Sequence, residues 1–133
     1  MKSFKKELKK YCIYPSYHRI KVIEYLAKHK THPTVDIIYQ ELLKEIPTLS
    51  KTTVYNTLKL FVEKGIVLVL AIDKNELRYD YNTIPHAHFK CEKCGGIYDI
   101  EIPEIESLIR LKDFKVIEFH LYIKGICKKC LTF

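Results

Sequence analysis

Two C-x-x-C pairs, Cys91-Glu92-Lys93-Cys94 and Cys127-Lys128-Lys129-Cys130, constrain this chain more than any other feature. The two-residue spacing lets both thiolates of a pair reach one ion, and small residues such as Gly95 and Gly96 permit the tight turn beside them. Two such knuckles supply the donors of a closed tetrahedral zinc site, with no position left for an activated water. A thioredoxin-type redox pair would need no duplicate. The pattern therefore reads as structural Zn(II) held by Cys91, Cys94, Cys127 and Cys130. The surrounding region is only about 50 residues long, a size at which metals often supply missing stability. The fifth cysteine, Cys12, stands far from both pairs and reads as a packed apolar residue.

A chain of 133 residues that is 47% hydrophobic can bury one or two small cores. No apolar run approaches the roughly 20 residues needed to span a bilayer. The Lys-rich start (Lys2, Lys5, Lys6, Lys9, Lys10) has no apolar segment behind it, so a cytoplasmic protein with no membrane partner is expected. The +7 net charge is uneven: residues 1–84 carry 15 Lys/Arg against 9 Asp/Glu, and residues 85–133 carry 8 against 7. A polyanion should therefore meet the first part.

Periodicity predicts three helices followed by a hairpin. Ser16 can cap a helix to His29 with Ile20, Ile23, Leu26 and Ala27 inward. Pro33 and Thr34 open a second, with Val35, Ile38, Tyr39 and Leu42 buried and Pro47 ending it. Ser50 caps a third, burying Val54, Leu58, Phe61 and Val62, and Gly65 terminates it. The apolar runs Ile66 to Ile72 and Leu77 to Tyr81, joined by Asp73-Lys74-Asn75, read as a β-hairpin. A short exposed helix from Phe4 to Tyr11 precedes this winged helix.

Asn82-Thr83-Ile84-Pro85 reads as a linker, dividing the chain into domains 1–84 and 85–133. Beyond it the pattern predicts strands near His88 to Cys91 and Ile97 to Glu101, then a helix opened by Pro103 and carrying Ile105, Leu108 and Ile109. Last comes a strand from Phe114 to Lys124, in which Ile117, Phe119, Leu121 and Ile123 alternate with polar residues and can be buried. The expected class is α+β: an N-terminal winged-helix domain, then a small α/β domain with the zinc site.

The helix beginning at Ser50 presents Thr52, Tyr55, Asn56 and Lys59 on the face opposite its apolar stripe, with Lys51 in its first turn. Such a helix can dock phosphates and read base edges in a major groove. Tyr55, Asn56 and Thr52 are candidates for base readout, and Lys51 and Lys59 for phosphates. His86 and His88 lie two apart in an extended segment, so both imidazoles project to one side. Nearby candidates for the same metal site are Asp80, Asp99 and His32, each of which taken singly has a surface role by default.

Together His32-Pro33-Thr34, Thr53-Val54-Tyr55, Arg78-Tyr79-Asp80, His86-x-His88-x-x-Cys91-x-x-Cys94-Gly95 and Cys127-x-x-Cys130 resemble the ferric uptake regulator family over nearly the whole chain. Within the family the pattern looks most like its peroxide-stress repressors. The resemblance implies a homodimeric repressor of palindromic operator DNA. It also implies a regulatory site of His32, Asp80, His86, His88 and Asp99 holding Fe(II) or Mn(II), with His32 and His86 open to oxidation by peroxide. Three imidazoles and two carboxylates suit those ions. Many iron-responsive members carry glutamate at the position of Asp99, which favours peroxide sensing. Pro85 and Ala87 stand where some iron-responsive members have a His and an Asp of a further metal site, so no such site is expected. Ser16-Tyr17-His18-Arg19 replaces the family's Thr-Pro-Gln-Arg; Arg19 is kept as a DNA contact, while the lost proline alters its setting.

Iron-responsive and zinc-responsive repressors are the nearest alternatives, the latter disfavoured by the carboxylate-rich donors. A zinc hydrolase would need an open metal position and a general base, and no H-E-x-x-H motif is present. An enzyme is therefore not expected. A DNA-free metal buffer or adaptor would leave the Tyr55 and Asn56 face without a purpose.

Overall fold

The computed structural model describes residues 3–72, 76–81, 86–116 and 119–131. The chain divides into two compact units, Met1–Thr83 and Ile84–Phe133.

Unit 1 contains α1 (Phe4–Lys10), α2 (Tyr17–Lys28), α3 (Val35–Leu43) and α4 (Lys51–Glu63), followed by β1 (Leu68–Leu70) and β2 (Arg78–Asp80). A hydroxyl opens every one of these helices: the side chains of Ser3, Ser16, Thr34 and Ser50 accept from the amides of Lys6, Arg19, Ile37 and Thr53. Each cap satisfies a donor that helix geometry leaves without an intrahelical partner. At the far end of α4 the amide of Gly65 donates to Val62 and that of Ile66 to Phe61. This closure needs a left-handed residue, and Gly65 supplies it at φ +79°. Helix α3 stops at Leu43, before Pro47, and the chain then turns so that Ile46 and Leu49 are buried.

The core of unit 1 joins Val22, Ile23 and Leu26 of α2, Ile38 and Leu42 of α3, and Val54, Leu58 and Phe61 of α4. Val22 takes the inward place expected of Ala27, which is only half-buried. Helix α1 is not the exposed helix expected: Leu8 is fully buried and Phe4 packs against the core. Cys12 departs from expectation in the other direction. It is exposed at φ +60°, in the turn that follows α1. β1 and β2 pair antiparallel, Leu68 opposite Asp80 and Leu70 opposite Arg78. The expected turn Asp73-Lys74-Asn75 and the linker 82–85 lie outside the described residues.

Unit 2 contains β3 (Ala87–Cys91), β4 (Ile97–Ile100), α5 (Ile105–Leu108) and β5 (Tyr122–Gly125). The sheet order is β4-β3-β5, with β3 antiparallel to β4 and parallel to β5. The expected strand from Phe114 is shorter than its alternation suggests. Among the described residues only Tyr122–Gly125 pairs as a strand, alongside the five-residue β3 in a register that places His88 opposite Tyr122. Ile123 of the face expected to be buried is 37% exposed, and Ile117 lies outside the described residues. Helix α5 begins at Ile105 rather than Pro103, after the left-handed Glu104, and Leu108 is exposed. Among the described residues no helix is long and apolar enough to cross a membrane.

Candidate metal centres

Parallel pairing builds the cysteine site. Cys91 ends β3 opposite Gly125 of β5, and the amide of Glu92 donates to the Gly125 carbonyl, so Cys127 arrives beside Cys91 two residues later. Each knuckle closes on itself: Gly95 donates to the Cys91 carbonyl, and Cys130 and Leu131 donate to that of Cys127. One sulfur from each of the four cysteines lies within 4.8 Å of the others. Cys94 and Cys127 place their sulfurs 3.7 Å apart. A zinc tetrahedron with bonds of about 2.3 Å has edges of about 3.8 Å, so the four residues fit that ion.

Backbone amides prepare the thiolates. The Cys91 sulfur accepts from the amides of Cys127, Cys94 and Lys93, each at 3.4 Å, which lowers its pKa to about 6. A hydrogen bond from the Tyr98 hydroxyl lowers the Cys127 thiol below its ordinary range, and the same bond pushes the phenol upward. Cys130, beside Cys127, is raised to about 12. Metal binding at such a site requires all four thiols to be deprotonated and so releases protons. Tyr98 was not singled out from sequence, although Gly96 hints at it: a Cβ there would come within 3.1 Å of the Tyr98 hydroxyl.

Two further clusters of imidazole and carboxylate donors are present, one in each unit. In unit 2, His88 of β3 stands directly opposite Asp99 of β4, and His86 is two residues earlier on the same face. Both Nε2 atoms reach Asp99 Oδ1, at 3.2 Å from His86 and 3.4 Å from His88. The two rings lie 4.3 Å apart between centroids. Both histidines are buried, and the Asp99 side chain is 36% exposed. In unit 1, His32 Nε2 is 3.5 Å from Asp80 Oδ2, both residues being buried. His32 sits between α2 and α3 at φ +57°, a left-handed backbone that a non-glycine residue adopts only when its surroundings impose it. Those surroundings are visible: Arg78 Nη1 donates to the His32 carbonyl at 3.2 Å, and the Tyr79 amide donates to the Pro33 carbonyl at 3.0 Å. Neighbouring rungs of β2 thus hold the His32 turn beside Asp80.

On α4, Lys51, Thr52, Tyr55, Asn56 and Lys59 are all exposed, opposite buried Val54, Leu58 and Phe61. Lys51 is not idle on this surface, since its ammonium lies 3.0 Å from Asp36 at the start of α3. Arg19 is half-buried, and its guanidinium donates to the Tyr14 carbonyl at 3.1 Å.

The model of the ferric uptake regulator family matches residues 15–124. The chain belongs to that family. Its relatives are metal-responsive transcriptional regulators, among them the peroxide-responsive repressor PerR of Staphylococcus aureus, 40% identical over 113 residues that span 82% of this chain and 76% of that protein. Among solved structures, the peroxide stress regulator of Campylobacter jejuni superposes with a TM-score of 0.72 at 30% identity, covering 96% of each chain. The ferric uptake regulator Fur of Helicobacter pylori, described as having three functional metal binding sites, gives 0.75 at 25% identity over 96% of this chain and 88% of its own. The fold expectation of an α+β member of this family is met.

Proposed function

We propose that the chain is a peroxide-sensing, metal-dependent repressor that binds palindromic operator DNA as a homodimer in the cytoplasm. Residues 1–84 serve as the DNA-binding domain and residues 85–133 as the dimerisation and metal-binding domain. The observation that carries this reading is that each unit by itself sets buried imidazole against carboxylate, His32 beside Asp80 in one, His86 and His88 on Asp99 in the other. The imidazole and carboxylate donors fit Fe(II) or Mn(II), and none of them is a thiolate. A cation shared by both halves would favour one arrangement of the units over others. In a two-fold dimer this sets the separation of the two α4 helices, which must match half-sites one or two helical turns apart, about 34 Å each. Metal and DNA then strengthen each other's binding, by about 1–3 kcal/mol in typical linked systems.

The exposed residues of α4 divide by chemistry. Tyr55, Asn56 and Thr52 are suited to base edges, and Lys51, Lys59 and Arg19 to phosphates. Zn(II) on the four cysteines stabilises the second domain. Bound Fe(II) would supply the electrons for peroxide reduction, and the resemblance to peroxide-stress repressors points to the imidazoles of His32 and His86 as the groups that would be oxidised. The similarity to peroxide-responsive relatives supports this subtype over plain iron sensing.

The test is operator affinity of zinc-loaded protein with Mn(II), with Fe(II), and with Fe(II) followed by peroxide. Both metals should tighten binding, and peroxide should release only the iron form, with one added oxygen on a His32 or His86 peptide by mass spectrometry. Release without that oxygen refutes the oxidation route. A folded His86→Ala/Asp99→Ala variant that binds DNA as tightly as the parent with or without metal refutes the metal-dependent reading.

A further inference from the structure

The hydroxyl of Tyr81 donates to the carboxylate of Glu7, 2.6 Å from Oε1 and 2.8 Å from Oε2. This contact joins α1 to the residue immediately after Asp80, across 74 positions of sequence. Asp80 occupies the end rung of the β1–β2 ladder, opposite Leu68, so the ladder constrains it from the hairpin side only. Tyr81 lies outside the strand and is half-buried. A strand end of this kind frays unless something beyond it is anchored.

The anchor is firm. Leu8, next to Glu7, is fully buried, Phe4 packs on the same core, and Ser3 caps the helix. A hydrogen bond from a phenol to an ionised carboxylate is among the stronger kinds available to a protein. Consecutive residues of an extended chain point to opposite sides, so gripping the Tyr81 side chain fixes the peptide that carries Asp80 without occupying the Asp80 carboxylate.

We propose that Glu7 and Tyr81 are positioning residues for Asp80, so that helix α1 is part of the regulatory metal site's machinery. The inference rests on Asp80 being a ligand of that site. Metal sites depend on ligands held within about 0.5 Å of their productive places, and partners of ligands commonly alter affinity by about 10- to 100-fold. Glu7 and Tyr81 act one step further out, and about a five- to tenfold effect is expected.

The experiment is Mn(II) titration of the full zinc-loaded chain, read by the electron paramagnetic resonance of free Mn(II), with thermal melting measured alongside. Glu7→Ala and Tyr81→Phe should each raise the Mn(II) dissociation constant by about five- to tenfold, and the double variant should be no weaker than the worse single one. Glu7→Gln keeps an acceptor for the phenol and should recover most of the loss. Asp80→Ala should abolish binding at the regulatory site. If the Glu7 and Tyr81 variants melt earlier yet bind Mn(II) like the parent while Asp80→Ala does not bind, the pair is merely structural and the inference is overturned. If Asp80→Ala itself binds like the parent, the ligand assignment falls, and the inference with it.

Discussion

The two units are stabilised by different means. Unit 1 gathers apolar side chains from four helices and the hairpin into one cluster, with Ile23, Ile38, Leu58 and Phe61 fully buried. Among the described residues of unit 2, the buried apolar residues are only Ala87, Cys91, Ile105 and Cys127, two of them thiols of the metal cluster. The same unit exposes Leu108, Leu111, Phe114, Val116, Ile126 and Leu131. Beside the knuckles, Phe89, Tyr98, Ile100 and Ile126 line an open cleft of about 460 Å³. Burial contributes about 25 cal/mol per Å², so it accounts for unit 1 far better than for unit 2. The difference teaches that the first unit is stabilised by its own interior, whereas the second leaves room for what the proposed zinc and dimer partner would supply.

The largest expected effect is therefore loss of zinc. Cys127→Ser should remove the ion and unfold unit 2, since structural zinc supplies on the order of 10 kcal/mol in small metal domains. Hydrogen exchange should show β3 and β4 unprotected while α4 keeps its protection. Protection retained in β3 without metal breaks the contrast. Leu58→Ala is the mirror experiment and should cost unit 1 about 3 kcal/mol in denaturant unfolding, with zinc content by elemental analysis unchanged.

Much of this contrast is legible in the residues, and the omissions have physical causes. Ser16, Thr34 and Ser50 announce helix starts because capping is a local interaction, and the cysteine spacings announce a metal because the knuckle is local too. Among the described residues, the strand expected from Phe114 forms only at its far end, for the opposite reason. Alternation measures which face a segment offers, but how much of it pairs is set by β3, a distant segment whose length and parallel direction leave no mark on residues 114–121. Helix α1 is too short for a periodic signal: Phe4 and Leu8 are one turn apart among lysines, and only the folded core shows that they are anchors. His86 and His88 are legible as a pair from their spacing, whereas their convergence on Asp99 needs the β3–β4 register.

Two smaller effects sharpen the comparison. Phe114 is 74% exposed, and Phe114→Glu should raise the dimer dissociation constant at least tenfold, about 1.4 kcal/mol, in analytical ultracentrifugation. Zinc content should not change; a dimer of parental strength would show that these side chains are not its interface. Ser50→Ala, which removes the cap of α4, should cost about 1 kcal/mol in unfolding of unit 1 and leave unit 2 untouched. A loss of zinc in this variant would show that the units are not energetically separate.

The parallel seating of β5 on β3 also dictates an order of events at the ribosome. Cys91 and Cys94 emerge first, and β3 and β4 can close as a hairpin around them, but the remaining thiols follow only after another thirty or so residues, at about 5–20 residues per second. For those seconds the nascent chain holds half a chelate. With zinc on the four cysteines, ion capture would be a late step of biogenesis, and a cell short of zinc would accumulate chains whose first unit is finished while the second still waits.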